Sequence, residues 1–580
     1  MDTIPLENKR HTLAHLLAAT VRDLYPGAKN AIGPSIDNGF YQDFDLGSHK
    51  ISEEDFPEIE KRMREILKTW TTSSHREVTP EEAQKEYAWN EYKAELANEF
   101  ALGGKTITFY RLGDFDDLCK GGHSENPEKE VDPNTFKLDR VAGAYWRGDE
   151  KNKMLTRIYG LAFDTKNELD TYLAQREEAK TRDHRKLGAE MDLFITSPLV
   201  GAGLPLWTPR GTIVRSELAN YIWELRSARG YQKVTIPHIT KKELYEISGH
   251  WDKFGDELFR ITTREGKEYA LKPMNCPHHT QIFARKPHSY REMPQRYAET
   301  TMVYRDEQSG ELGGLTRVLS ITQDDSHVFA RHSQVKEEFF RIWDIVDTFY
   351  KTFGFSLRVR LSFHDPASMD KYLGTPEIWK NAENALRQIA KERGADHFEA
   401  PGEAAMYGPK LDFMATDSMG RQHQVATIQL DMNQPERFDL TCVNERGEKE
   451  RIVMIHGAIM GSIERFTAVL LEHLGGILPT WLSPVQAKIL PIGEAHIAFA
   501  TDTLERLKEA GIRAEIDESG ESLGKKIREA KTLKIPYLLV IGDQEVAANT
   551  ATLEGREGKL GAMPVADIVA KLKEEIATRS

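Results

Sequence analysis

Several residues of this sequence have the chemistry of metal ligands or phosphate contacts but lie far apart in the chain. Cys276, His327 and His456 are 51 and 129 residues apart. On spacing alone, a buried structural cysteine and two histidines in polar networks are favoured over a metal site. Arg305, in Tyr-Arg-Asp-Glu, and Arg465, in Gly-Ser-Ile-Glu-Arg-Phe, suit phosphate because guanidinium groups are always charged and bind it bidentately. Taken alone, each arginine is better interpreted as a surface charge.

A second candidate site lies near the N-terminus. His11 and His15 are four residues apart in a predicted helix and therefore share one face. The later segment Asp-Leu-Cys-Lys-Gly-Gly-His adds Asp117, Cys119 and His123. Either element alone predicts no more than surface histidines on a small α/β domain. Two histidines, a cysteine and a further histidine could also ligate zinc, so a metal-free site and a zinc site both remain open.

Composition limits the class of protein. A chain of 580 residues predicts three or four domains, and 39% apolar with 29% charged residues is ordinary for globular domains. The net charge of −13 argues against a simple nucleic-acid coat protein, but it does not exclude an enzyme that holds RNA on basic faces. Three widely separated cysteines, no signal-peptide pattern and no long apolar run predict a cytoplasmic protein without a membrane span.

The elements that must position these residues fall into three predicted domains. Residues 1–182 open with a helix over about 9–24 and end in a charged stretch typical of a solvated connecting helix. Residues 183–483 form the longest block and carry most of the candidate residues. Residues 484–580 alternate strand, helix, strand, helix and strand, which predicts a small α/β domain with a largely parallel sheet.

The order of the segments is more specific than any one of them. Residues 231–237, 304–314 and 461–466 resemble motifs 1, 2 and 3 of the class II aminoacyl-tRNA synthetases. Residues 271–277, 322–327 and 453–456, in that order within this frame, resemble the threonyl-tRNA synthetases, and the likeness covers nearly the whole chain. The resemblance implies a multidomain α+β and α/β protein: an α+β editing domain, a catalytic domain on an antiparallel sheet and an α/β anticodon-binding domain.

The resemblance implies ATP-dependent activation of threonine and its transfer to tRNA(Thr). In this reaction a carboxylate attacks the α-phosphate, so the site must position the reactants and neutralise negative charge. Arg305 would hold the α-phosphate, Arg465 the γ-phosphate and Glu307 the adenine side, with Mg²⁺ completing the ATP site. The implied ATP-binding residues are Arg305, Glu307, Arg317, Gln424, Thr427, Ser462 and Arg465, and the implied catalytic residues are Arg305, Arg465 and Lys410.

Within this frame Cys276, His327 and His456 match the three zinc ligands of the family. Three protein ligands leave zinc open to a substrate, and the resemblance implies that threonine binds there through its amino and hydroxyl groups. Valine lacks the hydroxyl and is rejected, whereas serine lacks one methyl group, worth only about 10- to 200-fold. A second, hydrolytic site for seryl-tRNA is therefore expected. The implied threonine contacts are Met274, Gln323, Asp325, Tyr407 and Gln429.

The terminal domains have their own implied residues. The N-terminal segment resembles the editing domain of bacterial-type threonyl enzymes, and we expect a metal-free hydrolytic site there. Its implied residues are His11, His15, Lys93, Asp117, Cys119 and His123. In the C-terminal domain Glu545 matches an anticodon-contacting position, and Glu554 stands where an anticodon-reading arginine is expected, which reverses the charge there. The small ubiquitin-like domain that often precedes editing domains is expected to be absent.

Three other interpretations compete with this one. A class II synthetase for another amino acid is disfavoured because an open zinc helps little without a β-hydroxyl group. A non-catalytic RNA-binding or regulatory protein is disfavoured because Arg305 and Arg465 are both retained. A free-standing editing enzyme would leave the middle block without a purpose. A homodimer is expected, since motif 1 forms the dimer interface in class II enzymes.

Overall fold

The structure is a computed structural model that describes residues 4–579. It divides into two compact units, residues 1–178 and 179–580. Across the described part of the chain, no helix has the length and apolar character needed to cross a membrane.

The first unit combines helices with two antiparallel sheets. Its helices are α1 (Leu6–Leu24), α2 (Phe56–Leu67), α3 (Pro80–Glu86), α4 (Glu91–Leu102), α5 (Pro127–Glu130) and α6 (Lys166–Arg182), the last crossing into the second unit. Its strands are β1 (Lys29–Asn30), β2 (Ser35–Ile36), β3 (Gly39–Asp45), β4 (Ser73–Val78), β5 (Ile107–Leu112), β6 (Phe115–Leu118), β7 (Phe136–Tyr145) and β8 (Met154–Ala162). One sheet has the order β1-β3-β8-β7 with β2 also on β3, and the other runs β4-β5-β6.

Helix α1 is the central support of this unit. Leu13, Leu16, Leu17 and Val21 recur at helical spacing and are buried against α2 and β3. The predicted helix is therefore present, and it begins three residues earlier than expected. Its buried face also carries His15, so the packing that fixes α1 also fixes this histidine.

The second unit begins with the largest sheet of the protein. Helices up to residue 474 are α7 (His184–Glu190), α8 (Pro209–Ser227), α9 (Lys242–Ser248), α10 (His250–Lys253), α11 (Cys276–Ala284), α12 (Val335–Thr352), α13 (Pro376–Arg393), α14 (Asn433–Arg437) and α15 (Ile463–Leu474). The strands are β9 (Phe194–Ile195), β10 (Leu206–Trp207), β11 (Gln232–Lys233), β12 (Ile239–Lys241), β13 (Arg260–Thr262), β14 (Glu268–Leu271), β15 (Gln295–Tyr304), β16 (Ser320–Ala330), β17 (Ser356–Phe363), β18 (His397–Pro401), β19 (Lys410–Thr416), β20 (Gln422–Asp431), β21 (Thr441–Val443), β22 (Lys449–Arg451) and β23 (Val453–Ser462).

The eight-stranded sheet has the order β11-β15-β16-β23-β20-β19-β17-β18. The six inner strands pair antiparallel, and the two end pairs, β11–β15 and β17–β18, are parallel. Helices α12 and α15 pack on one side of the sheet and bury its largest apolar core. The other side of the central strands is left to carry polar residues, because side chains alternate between the two faces of a strand.

The last hundred residues form a smaller mixed sheet. Its helices are α16 (Ile497–Glu509), α17 (Leu523–Thr532), α18 (Asp543–Ala548) and α19 (Val565–Thr578), and its strands are β24 (Ala487–Pro491), β25 (Ala514–Ile516), β26 (Tyr537–Ile541), β27 (Thr550–Gly555) and β28 (Gly558–Pro564). The order is β25-β24-β26-β27-β28. The expected parallel pairing holds for the first three strands. The β27–β28 hairpin adds antiparallel pairs that the sequence interpretation missed.

Candidate active site

Cys276, His327 and His456 come together on the polar side of the large sheet. His327 on β16 lies directly opposite His456 on β23 in the strand register, and Cys276 begins α11. The His327 Nε2 and His456 Nδ1 atoms are 3.1 Å apart. The ligand atoms of all three side chains lie within 4.8 Å of one another, and all three residues are buried.

Neighbouring groups orient both histidine rings toward this centre. The Nε2 atom of His456 is 2.9 Å from Asp431 Oδ2, and the Nδ1 atom of His327 is 2.8 Å from His279 Nδ1. Outer hydrogen bonds of this kind fix ring orientation in metal sites and leave the inner nitrogens free. Two imidazoles and one thiol whose ligand atoms lie this close together suit a tetrahedral zinc ion that keeps one position open.

The electrostatics of the cluster also suit a cation. Burial raises the pKa of the Cys276 thiol, and the negative charges of Asp325 and Asp431 raise it further. Burial likewise lowers the pKa of His327, with His456 as the next cause. The thiol is therefore protonated and the His327 ring neutral until a cation binds, and metal binding would release the thiol proton.

Four of the five implied threonine contacts lie beside this cluster, and the fifth, Gln323, lies in the neighbouring cavity. Tyr407 stacks on the ring of His456, with centroids 4.8 Å apart, and its hydroxyl group donates to Gln429 Oε1 at 2.7 Å. Asp325 accepts a hydrogen bond from Asn275 Nδ2 at 2.9 Å. Met274 Sδ is 3.2 Å from the ring of His250, while Gln323 lines the neighbouring cavity.

The implied ATP-binding residues line one cavity of about 460 Å³ beside the cluster. They are Arg305, Glu307, Arg317, Gln424, Thr427, Ser462 and Arg465. Among residues 4–579, no carboxylate lies within ion-pair distance of Arg305 or Arg465, whereas Arg317 pairs with Glu307 at 2.6 Å. Burial lowers the pKa of Arg465, and the like charge of Arg317 lowers it further. The cavity is thus electropositive and suited to a polyanion.

Two buried carboxylates hold the strand that carries Ser462. Asp324 accepts the backbone N–H groups of Ile459, Met460 and Gly461, each at 2.9 Å. Glu464 accepts the N–H and hydroxyl groups of Thr322, both at 2.8 Å. These bonds tie β16 to the start of α15, and so they fix the base of the arginine-lined cavity.

Lys410 is not among the residues that line the cavity. Its ammonium group lies 3.3 Å from Asp412, a fully buried carboxylate. Asp412 also accepts hydrogen bonds from Gln424 and Thr427, which do line the cavity. Lys410 is therefore connected to the cavity through a shared carboxylate rather than by direct exposure to it.

In the first unit, the four residues with metal-ligand chemistry converge as well. Cys119 Sγ is 3.4 Å from His11 Nε2 and 3.1 Å from His123 Nε2, and the rings of His11 and His123 stack at 4.2 Å. The ring of His15 meets that of His123 edge-on at 4.5 Å. Gly121 and Gly122 have left-handed backbone angles, and a Cβ on Gly121 would lie 2.4 Å from the hydroxyl oxygen of Tyr110.

Lys93 and Asp117 form a buried ion pair beside this cluster. Lys93 Nζ donates to Asp117 Oδ2 at 2.8 Å, and Asp117 also accepts from Asn30 and Tyr87. Burial lowers the pKa values of His11, His15 and His123 and raises the pKa of Cys119 to about 11. The cluster therefore offers neutral imidazoles and a protonated thiol next to one buried charge pair.

The two glutamates of the C-terminal sheet are both engaged. Glu545 accepts the N–H of Gly542 at 2.9 Å and the hydroxyl of Thr552 at 2.7 Å. The Thr552 hydrogen bond is the main reason that the pKa of Glu545 is lowered. Glu554 on β27 is nearly buried and pairs with Lys531 at 2.7 Å, so its charge is balanced locally.

Cys276, His327 and His456 are called the metal-ligand cluster below. Sequence interpretation missed four of its neighbours, namely His250, Asn275, His279 and Asp431. Asp431 follows the implied threonine contact Gln429 by two residues, and on β20 that spacing brings both side chains to the same face. His279 had no signal in the sequence, since the helix that carries it shows no periodic pattern of polar residues.

Two protein-family profiles match the second unit. One is described as "tRNA synthetase class II core domain (G, H, P, S and T)" and matches residues 259–474. The other is described as "Anticodon binding domain" and matches residues 486–575. Together they agree with the antiparallel eight-stranded sheet followed by a separate small sheet, and they confirm the predicted fold class.

Curated relatives extend over nearly the whole chain. The threonine–tRNA ligase of Deinococcus radiodurans is 48% identical over 566 residues, which cover 96% of this chain and 86% of the relative. That of Gloeobacter violaceus is 46% identical, covering 100% and 94% of the two chains. A solved structure titled as the RNA binding domain of threonyl-tRNA synthetase from Cryptosporidium parvum is 38% identical with a TM-score of 0.65, over 68% of this chain and 98% of that one. The chain therefore belongs to the threonine–tRNA ligase family of class II aminoacyl-tRNA synthetases.

Proposed function

We propose that this protein activates threonine with ATP and transfers it to tRNA(Thr), and that its first unit hydrolyses seryl-tRNA(Thr). One observation carries the proposal. The metal-ligand cluster and the arginine-lined cavity adjoin on the same face of one sheet, where Asp325 and Gln323 link them along β16. An amino acid held at the cluster thus points its carboxylate toward a phosphate held by the arginines.

In the proposed reaction, the threonine carboxylate attacks the α-phosphate of ATP and pyrophosphate leaves. Arg305 neutralises charge on the α-phosphate, Arg465 holds the γ-phosphate and Glu307 contacts the adenine side. Little proton transfer is needed, so positioning and charge supply most of the rate enhancement. Mg²⁺ bound with ATP would offset further phosphate charge.

Selection of threonine is proposed to depend on zinc held by Cys276, His327 and His456. Held there, zinc would act as a Lewis acid that binds the amino and hydroxyl groups of threonine. Asp325 takes the ammonium group, while Tyr407 and Gln429 close the site around the side chain. Valine is excluded because it brings no hydroxyl group into a polar site. Serine has the hydroxyl group and is therefore not excluded.

Serine that passes this selection is proposed to be removed in the first unit. Neutral histidines on either side of Cys119 suit the orientation of water and of the terminal ribose, and the Lys93–Asp117 pair adds a fixed charge. We propose that this hydrolysis needs no metal. The protein is proposed to work as a cytoplasmic homodimer, with anticodon contacts that include Glu545.

Amino-acid-dependent ATP–pyrophosphate exchange tests the activation step. Exchange is measured with threonine, serine and valine, in zinc-loaded protein and after chelation. Activity with threonine and serine, little with valine and none after chelation is the expected result. Folded, zinc-loaded protein that exchanges with none of the three would refute the proposal. Hydrolysis of pre-charged seryl-tRNA(Thr), with and without chelator, tests the first unit separately.

A further inference from the structure

His184, the first residue of α7, connects two parts of the arginine-lined cavity without lining it. The backbone N–H of Leu315 donates to His184 Nε2 at 3.1 Å. On the other side of the ring, Nδ1 is 2.7 Å from Glu472 Oε1, which also accepts the backbone N–H of His184 at 3.2 Å. Because Nε2 accepts a hydrogen bond, the ring carries its proton on Nδ1 and donates it to Glu472.

The first end of this connection is the turn before Arg317. Gly313 accepts the N–H of Thr316 at 2.8 Å and donates to the carbonyl of Arg317 at 3.2 Å, and Thr316 and Arg317 both line the cavity. Leu315, at the tip of this turn, is fully buried. Its N–H group therefore cannot turn to water if His184 is lost, and an unpaired buried donor is costly.

The second end is the helix that bears Arg465. Glu472 lies seven residues after Arg465 on α15, which is about two helical turns and about 10.5 Å along the axis. Arg421 holds the other oxygen of Glu472 at 2.8 Å, so the carboxylate is fixed from both sides. The side chain of His184 is itself only 7% exposed. The buried ring of His184 thus fixes the distance between the turn before Arg317 and helix α15.

We propose that His184 is a positioning residue for ATP: it sets the distance between the turn that carries Arg317 and the helix that carries Arg465. This inference rests on the proposed function in taking ATP as the ligand of the cavity. Gly314 provides independent support, because a Cβ at this residue would lie 2.3 Å from His184 Nε2. Its left-handed φ of +56° also makes any side chain there strained.

Two substitutions at residue 184 separate the two ends of the connection. In His184→Asn the shorter side chain keeps a donor near Glu472 but cannot accept from the backbone N–H of Leu315. In His184→Gln the longer side chain keeps an acceptor for that N–H group. We expect His184→Asn to raise the KM for ATP in pyrophosphate exchange by about tenfold, as for one unpaired buried donor, and to leave the KM for threonine unchanged. His184→Gln is expected to restore most of the ATP affinity.

His473 supplies a matched control on the same helix. Its Nδ1 accepts the N–H of Ser418 at 2.9 Å, in a turn away from the cavity, and its Nε2 faces Phe353 O at 3.1 Å. His473→Gln thus deletes the hydrogen bond from the backbone N–H of Ser418, and it changes no residue that lines the cavity. It should lower Tm about as much as His184→Asn does, with no change in the KM for ATP.

Three outcomes would overturn the inference: a wild-type KM for ATP in His184→Asn, an equal rise in His473→Gln, or parallel rises in both KM values. If His184→Asn does not fold, Gly314→Ala tests the same contact from the turn and should raise the KM for ATP alone. ATP dissociation constants measured by calorimetry accompany the kinetics. Wild-type protein without exchange would count against the proposed function, while the ratio of ATP dissociation constants would still decide the role of His184.

Discussion

Asp431 decides which nitrogen of His456 carries the ring proton. The carboxylate is fully buried, and its Oδ2 atom receives the Nε2 proton of His456 at 2.9 Å. Its Oδ1 atom accepts the N–H groups of Asn433 and Gln434 at 2.8 and 2.9 Å. In Asp431→Asn these backbone bonds persist, but an NH₂ group replaces Oδ2. His456 must then accept at Nε2 and carry its proton on Nδ1, the atom that faces His327.

The substitution therefore presents a proton where the metal should bind. Loss of an outer-shell carboxylate typically weakens metal binding 10- to 100-fold, which is about 1.4 to 2.8 kcal/mol. Zinc affinity is measured by competition with a chromophoric chelator at fixed pH, because binding also releases the Cys276 proton. Threonine-dependent exchange should fall in step with zinc occupancy and recover at high zinc.

Asp417 provides a control in which a buried carboxylate also joins a histidine to backbone N–H groups, with an added ion pair to Arg421. Its Oδ2 atom is 3.0 Å from His423 Nε2, and its Oδ1 atom accepts the N–H groups of Met419 and Arg421, both at 2.9 Å. Asp417→Asn should cost stability and leave zinc affinity unchanged. Wild-type zinc affinity in Asp431→Asn, or an equal loss in Asp417→Asn, would show that the histidine tautomer does not govern this site.

Three further predictions concern the other groups. Arg465→Ala should lower kcat for pyrophosphate exchange about 100- to 1,000-fold, as removal of one charge-stabilising group does, and a rate near wild type would contradict its role. Lys93→Ala should slow hydrolysis of seryl-tRNA(Thr) while threonine activation stays unchanged, and a parallel loss of both would point to misfolding. His15 and His123 have pKa values below the ordinary value because they are buried, so the native state binds fewer protons than the unfolded state. Stability should therefore fall as the pH drops below about 6.5, by up to about 1.4 kcal/mol per pH unit for each histidine, measured by denaturant unfolding between pH 7.5 and 5. Double substitution of both by Asn should reduce that slope, while the other buried histidines with lowered pKa values keep part of it.

The two candidate sites differ in how far local sequence predicts them. His11 and His15 follow from helical periodicity, since a four-residue spacing places both on one face of α1. Cys119 joins them through a turn that the sequence marks with Gly121 and Gly122. These local patterns mark the two elements, but Cys119 and His11 are 108 residues apart, so the meeting of the two elements depends on the fold.

The cluster on the large sheet has no comparable local signal. His327 meets His456 only because β16 and β23 pair in one register, and a shift by one residue would turn either ring to the opposite face. The pairing register of two strands so far apart in the chain depends on long-range packing, and the number of residues between the ligands does not reveal it. His184 was missed for a related reason: its partner at the turn is the backbone N–H of Leu315, and backbone groups carry no sequence signature.

The alternation of strand residues explains why one sheet can serve both halves of the proposed reaction. His327, Asp325 and Gln323 follow one another at two-residue intervals on β16, so they project to the same face over about 13 Å. The bulge between Gln323 and Asp325 shifts the register with β23 at the point where the cluster gives way to the cavity. Helices α12 and α15 pack against these strands, and the strand backbone fixes the spacing between the cluster and the cavity. A carboxylate and a phosphate that meet on such a surface need no large rearrangement, which is what a reaction dominated by positioning requires.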